Sequence, residues 1–107
     1  MYARMAHFES DPGSMDEMVE GVRKSLEQGR EATARGDVPE EMRGMEGVTR
    51  VMLLVDRDKG ELANLVFCET EDELGRAHEA LNAMSPEGDV RRTSVGLYEV
   101  ALDESMR

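Results

Sequence analysis

Two histidines are the side chains of this sequence best suited to acid–base chemistry or metal binding. His78 follows Leu74 by four residues and precedes Leu81 by three, which places it on or beside the apolar stripe of a predicted helix. There a half-buried imidazole would act as an acid, a base or a ligand; the alternative is a boundary histidine hydrogen-bonded to its surroundings. His7 lies beside Met5 on a predicted strand and would share a cavity with His78 if that strand face looks toward the helices.

Asn64 and Cys68 lie four residues apart, and therefore on the same face of another predicted strand. An asparagine in a largely apolar strand is costly unless its amide is hydrogen-bonded, which points to a site; the alternative is an edge or bulge residue paired with solvent. Cys68 has no basic neighbour in sequence, so a small core residue is the more common role for it. Together with Met5, His7 and His78, these residues are the ones we expect to line a ligand pocket, while the catalytic residues stay unassigned.

A metal site is a weaker hypothesis. Two histidines and a carboxylate such as Glu69 or Glu99 would suffice as ligands, but no closely spaced histidine pair supports such a site. The sequence contains no phosphate-binding loop, dinucleotide fingerprint, serine nucleophile motif or zinc-spaced cysteine pair. We therefore expect neither a metal nor a cofactor.

Length and composition predict one domain over residues 1–107. The formal net charge of -11 argues against nucleic acid or an anionic membrane surface as a partner. The single cysteine excludes an internal disulfide and fits a reducing compartment. No segment approaches the ~20 apolar residues of a membrane span, and the first residues lack the pattern of a signal peptide, so we expect a cytoplasmic protein.

Periodicity predicts four strands and two helices in the order strand, helix, strand, strand, helix, strand. The predicted strands cover residues 2–8, 49–56, 61–69 and 93–102. The first helix begins after Ser14 and fades before Gly36, and the second begins after Thr70; Glu17 and Glu73 would complete capping boxes. This order is that of a ferredoxin-like α+β fold, βαββαβ, with an antiparallel four-stranded sheet.

The second predicted strand indicates an assembly. Residues 51–55 are apolar without alternation, so both faces of this strand must be buried. Two helices cover only one face of a four-stranded sheet. We therefore predict a homodimer formed through the other sheet face.

Four stretches resemble a known family: residues 2–9 (YARMAHFE), 51–60 (VMLLVDRDKG), 67–74 (FCETEDEL) and 98–100 (YEV). They are similar to the antibiotic biosynthesis monooxygenase-like domains of the dimeric α+β barrel superfamily. The resemblance implies that two sheets pack face to face as a barrel with the helices outside. Some family members are cofactor-independent oxygenases, others degrade haem, and others isomerise or decarboxylate small molecules, so the fold alone assigns no activity.

The resemblance also bears on the candidate residues. Quinone-forming members carry an asparagine followed four residues later by tryptophan; Asn64 matches, but Cys68 stands in the tryptophan position and removes the aromatic wall. Of the histidine, tryptophan and asparagine used by haem-degrading members, only the histidine is matched, by His78. The leading hypothesis is a homodimeric barrel that binds a small apolar organic ligand, with cofactor-independent monooxygenation as its reaction class if it is an enzyme. The alternative is a non-catalytic dimeric module that binds a metabolite or another protein.

Overall fold

The computed structural model describes residues 1–38, 40–84 and 90–107 of the chain. Its elements are β1 (Tyr2–Glu9), α1 (Met15–Ala34), β2 (Val48–Asp56), β3 (Glu61–Cys68), α2 (Glu71–Asn82) and β4 (Arg91–Glu99), with short 3-10 turns at Pro12–Ser14 and Glu40–Met42. The strands form one four-stranded sheet in the order β2-β3-β1-β4, and each neighbouring pair is antiparallel. The predicted α+β class with an antiparallel sheet and two helices is confirmed. The arrangement is compatible with a ferredoxin-like fold.

Side-chain alternation separates the sheet into a helix side and an open face. Arg4 reaches side chains of α2, so the alternate residues of β1 that share its direction lie on the helix side. Through the register, Val66 and Leu97 lie beside Arg4 on that side. The residues of opposite direction form the open face: Ala3, Met5, His7, Arg50, Met52, Leu54, Ala63, Leu65, Phe67, Ser94, Gly96 and Tyr98.

The core lies between the sheet and α2, which packs on β1 and β3. Cys68, Leu74 and Ala77 are its buried centre. Partly buried Tyr2, Met45 and Val48 pack against them, so the segment that leads into β2 also contributes to this core. Because the second helix and the third strand both bury their apolar side here, α2 is fixed on the sheet.

The sequence Arg-Asp-Lys-Gly at residues 57–60 predicts a hairpin turn, and this turn joins β2 to β3. Gly60 has a φ of 70°, a conformation that L side chains rarely adopt, and its N–H donates to the Asp56 carbonyl at 3.0 Å. The Gly60 carbonyl accepts from the N–H of Ser10 at 2.8 Å. This turn therefore also holds the chain that leaves β1.

The two helix starts differ from each other. Thr70 caps α2 as predicted, because its hydroxyl accepts from the N–H of Glu73 at 3.1 Å. The Glu73 carboxylate accepts from the Thr70 hydroxyl at 2.9 Å, rather than from the Thr70 backbone N–H as in the predicted capping box. The predicted capping box at Ser14 is wrong: its side chain makes no cap hydrogen bond. Ser14 ends the 3-10 turn that Asp11 caps, with the Asp11 carboxylate accepting from Gly13 N–H at 2.9 Å, and so it lacks the extended backbone of a helix cap.

β4 begins and ends earlier than the sequence predicts, at Arg91 and Glu99 rather than at residues 93 and 102. Among the described strands its neighbour in the sheet is β1, which begins at Tyr2. The N–H of Val100 donates to the Met1 carbonyl at 2.9 Å, and β1 offers β4 no residue beyond Met1 to pair with. The sequence Ser-Pro-Glu-Gly-Asp at residues 85–89 predicts the end of the second helix, but these residues lie outside the described part of the chain.

Candidate functional site

A buried arginine lies at the centre of the helix side. Arg4 is 2% exposed. Its Nε donates to His78 Nδ1 at 3.2 Å, and its Nη2 donates to Asn82 Oδ1 at 2.9 Å. Burial, and then the positive charge of Arg92, lower the pKa of Arg4 below its usual value. The guanidinium is thus held by neutral partners on α2, which also fix the orientation of the helix above β1.

His78 is occupied by this contact. An imidazole that accepts at Nδ1 carries its proton on Nε2, so the Asn82 Nδ2 atom that lies 3.1 Å from Nε2 faces it donor to donor and makes no hydrogen bond in this tautomer. Protein groups therefore meet both ring nitrogens of a half-buried side chain. This geometry corresponds to the boundary-histidine reading, and it does not present the imidazole to a cavity.

Arg92 extends the same cluster to the C-terminal end of α2. Its Nη1 donates to the Leu81 carbonyl at 3.3 Å, in the last turn of α2, where the negative end of the helix dipole attracts a cation. Arg4, Arg92 and Asn82 were not among the residues predicted from the sequence. The available signal was the position of Arg4 between Tyr2 and Ala6, a charged side chain on the strand face that otherwise carries apolar residues.

Asn64 and Cys68 do lie on the helix side, as β3 alternation requires. Asn64 pairs with Ala6 and Leu53 on its two neighbouring strands, and its buried Oδ1 has no hydrogen-bond partner among the described residues. Cys68 is fully buried. Burial, followed by the nearby Glu73 carboxylate, raises the pKa of the Cys68 thiol and makes it a poor nucleophile.

Met5 and His7 lie on the other side of the sheet. Met5 pairs with Leu65 and Gly96 on the open face, and His7 continues the same alternation. The physical reason is the two-residue period of a strand: Arg4 points to α2, so its neighbour Met5 points away. The predicted residues therefore do not converge in one pocket. Asn64, Cys68 and His78 are separated from Met5 and His7 by the sheet.

Two grooves flank the helices. The first, called the α2–β4 groove, has a volume of about 660 Å³ and is lined by Tyr2, Glu71, Asp72, Leu74, Gly75, Arg76, Glu79, Leu97, Tyr98 and Glu99. The second, called the α1–β2 groove, has a volume of about 520 Å³ and is lined by Leu26, Gly29, Arg30, Thr33, Val38, Met42, Met45, Glu46, Val48, Thr49, Arg50 and Val51. The predicted pocket residues line neither of them.

The metal hypothesis needed His7 and His78 together, and the sheet separates them. Within residues 1–38, 40–84 and 90–107, no group of three or more His, Cys, Asp or Glu side chains is placed to hold a metal ion. In the same ranges, none of the helices is both long and apolar enough to cross a membrane.

Comparison with known proteins finds no matching family model, no matching curated protein and no matching solved structure.

Proposed function

We propose that the protein is a homodimeric ligand-binding module in which two ferredoxin-like sheets pack through their open faces as a dimeric α+β barrel. The observation that carries this proposal is the composition of the open face. Its centre is formed by Met5, Met52, Leu54, Leu65 and Phe67. A sheet face so apolar is commonly covered in a soluble protein.

The exposure of two large side chains on the open face supports the proposal that a second subunit covers this face. Leu54 in β2 is 54% exposed and Tyr98 in β4 is 56% exposed, although both are large apolar side chains of the sheet. Both belong to the open face, whereas Leu62 and Val66 on the helix side of β3 are buried. A second copy would place the same apolar surface against this one, as a two-fold interface requires.

The size of the face is adequate for such an interface. Four strands spaced by ~4.8 Å and roughly 27 Å long present about 500 Å² in projection. The relief of the side chains raises the accessible area toward the roughly 800 Å² that each partner contributes to a standard interface.

The ligand site that best fits a small apolar molecule is the α1–β2 groove. Its aliphatic lining comes from a helix, a connection and a strand, including Leu26, Val38, Met45 and Val51. Apolar lining with a few polar groups at the rim is typical of sites for small organic molecules. We add no catalytic step to the proposal, because Asn64 and the other polar candidates lie outside both grooves.

Dimerisation is tested by native mass spectrometry and analytical ultracentrifugation of the wild-type chain and of Leu54→Glu. We expect a dimer for the wild type and a monomer for Leu54→Glu, because the carboxylate would be buried against the partner sheet. Leu102→Glu is the matched control, since Leu102 is 76% exposed and lies beyond β4, and it should remain dimeric. A wild-type monomer at tens of micromolar, or a Leu54→Glu dimer, contradicts the assembly.

Ligand binding is tested in the same spectra after purification from a native host. We expect an additional organic mass on the wild-type protein and its loss from Leu26→Gln, which places an amide in the α1–β2 groove. Leu97→Gln makes the same exchange in the other groove and should keep the ligand. Protein that carries no additional mass in any preparation argues against the ligand while leaving the dimer intact.

A further inference from the structure

The α2–β4 groove differs from the α1–β2 groove because it combines an apolar floor with an acidic rim. Its floor is apolar: Leu74 is 2% exposed, and Leu97 is an exposed leucine on the helix side of β4, at 47%. Tyr2 and Tyr98 line it at one end. Leu97 lies beside Arg4 in the sheet, yet α2 leaves it open to the groove.

The rim of this groove is acidic. Glu71, Asp72, Glu79 and Glu99 line it, and Arg76 is the one cationic side chain in the lining. In the described part of the chain, none of these carboxylates takes part in an ion pair.

The helix dipole explains only part of this rim. Glu71 and Asp72 lie in the first turn of α2, where acidic residues stabilise the exposed N–H groups of a helix start. Glu79 lies two turns further along α2, and Glu99 comes from the other wall, at the end of β4. The folding of α2 gives no reason for these two carboxylates to face a shared apolar floor.

We propose that the α2–β4 groove binds a small organic cation, an ammonium group carried on an apolar alkyl or aryl body. The apolar body would lie on Leu74 and Leu97, and the ammonium group would lie near Glu79 and Glu99. A tyrosine ring face attracts a cation in addition, and Tyr2 is placed at the same end as Glu99, its partner in the β1–β4 register.

The dimensions favour a small molecule over a long peptide. The α2 residues of the lining run from Glu71 to Glu79, which is a length of about 12 Å along a helix. The volume of about 660 Å³ lies within the range of roughly 300–1,000 Å³ typical of pockets for small organic ligands. This site is separate from the α1–β2 groove, and the residues proposed to hold the ligand lie on the helix side; of its lining residues, Tyr98 also belongs to the open face.

The first experiment is a calorimetric titration with three probes of the same shape: phenethylammonium, neutral phenethyl alcohol and anionic phenylacetate. We expect the ammonium probe to bind at least about fivefold more tightly than the alcohol, because charge attraction and cation–π contact act only on the cation. The preference should shrink as salt is raised from 20 to 500 mM. Equal binding of all three probes, or no binding of the cation, overturns the proposal.

A groove-filling variant locates the binding. A Cβ at Gly75 would meet no atom within 4 Å, so Gly75→Leu begins its side chain in open space beside the groove, and leucine favours a helix more than glycine does. Gly21→Leu on α1 is the matched control, because Gly21 is also a helical glycine with open space around it. We expect Gly75→Leu to abolish binding of phenethylammonium and Gly21→Leu to preserve it. Equal binding by both variants contradicts the site.

Removal of carboxylates distinguishes attraction of the cation by the groove from attraction by the net negative charge of the protein. The double variant Glu79→Gln/Glu99→Gln should lose the preference for the cation and keep the weak affinity for the alcohol. Glu17→Gln/Glu27→Gln removes the same charge from exposed residues of α1 and should bind like the wild type. If both pairs weaken the cation equally, the binding is non-specific and the groove is not its site.

Discussion

The Nε of Arg4 donates to Nδ1 of His78 at 3.2 Å across 74 residues of sequence, and this bond joins the centre of the sheet to α2. A second bond from the same guanidinium reaches Asn82 one turn later on the helix. Buried charges are normally paired with an opposite charge, whereas both described partners of Arg4 are neutral. The cluster is therefore best understood as a device that sets the position of α2, and with it one wall of the α2–β4 groove.

Two substitutions of Arg4 should distinguish how much its packed volume and how much its charged, hydrogen-bonding group contribute to the free energy of unfolding. Arg4→Ala leaves His78 without its donor and opens a cavity, and we expect a loss of about 2–4 kcal/mol in the free energy of unfolding. Arg4→Met fills much of the same volume without a buried charge, and should cost less than half as much. Urea unfolding followed by circular dichroism measures both.

If Arg4→Met is as destabilising as Arg4→Ala, the hydrogen bonds to α2 outweigh the filled volume. His78→Ala then serves as the control, because it removes one of the two acceptors and keeps the guanidinium. An equal loss in all three variants would place the whole effect in the Arg4–His78 bond.

Local sequence signals predicted the elements well where the competing conformations were few. Thr70 is preceded by a strand that ends at Cys68, so its backbone is free to take the extended conformation of a cap. Ser14 follows a proline–glycine pair that forms a 3-10 turn, and this turn takes the place of the cap. A serine or threonine followed three residues later by glutamate therefore caps α2 but not α1. The residues that precede this pattern decide which of the two occurs.

The two helix starts give a matched prediction. Thr70→Ala removes the hydrogen bond to the Glu73 N–H and should reduce the free energy of unfolding by about 1 kcal/mol. Ser14→Ala removes a hydroxyl that makes no cap bond, so a change of less than about 0.5 kcal/mol is expected. Chemical unfolding of both variants measures the difference; equal losses would show that Ser14 caps α1 in solution.

The candidate site was harder to predict than the fold. Alternation correctly divided β1 into Arg4 and its like-facing neighbours on one side and Met5 and His7 on the other. The amino-acid pattern does not determine which of these two sides of β1 faces the helices, because both sides carry apolar residues. The grooves were also beyond prediction, since they depend on how far α2 covers Leu97.

Cys68 links burial to the pH dependence of stability. Its pKa is raised in the folded chain, chiefly by burial, so the unfolded chain loses the thiol proton first as pH rises. The contribution of the Cys68 thiol to the free energy of unfolding is fully present below the pKa of an unfolded thiol, about 8.5. Above that pH the contribution should fall, by at most about 1.4 kcal/mol per pH unit. Urea unfolding between pH 7 and 9.5 measures the slope. Cys68→Ala should lack this component, and an identical slope in both proteins would mean that the thiol does not contribute.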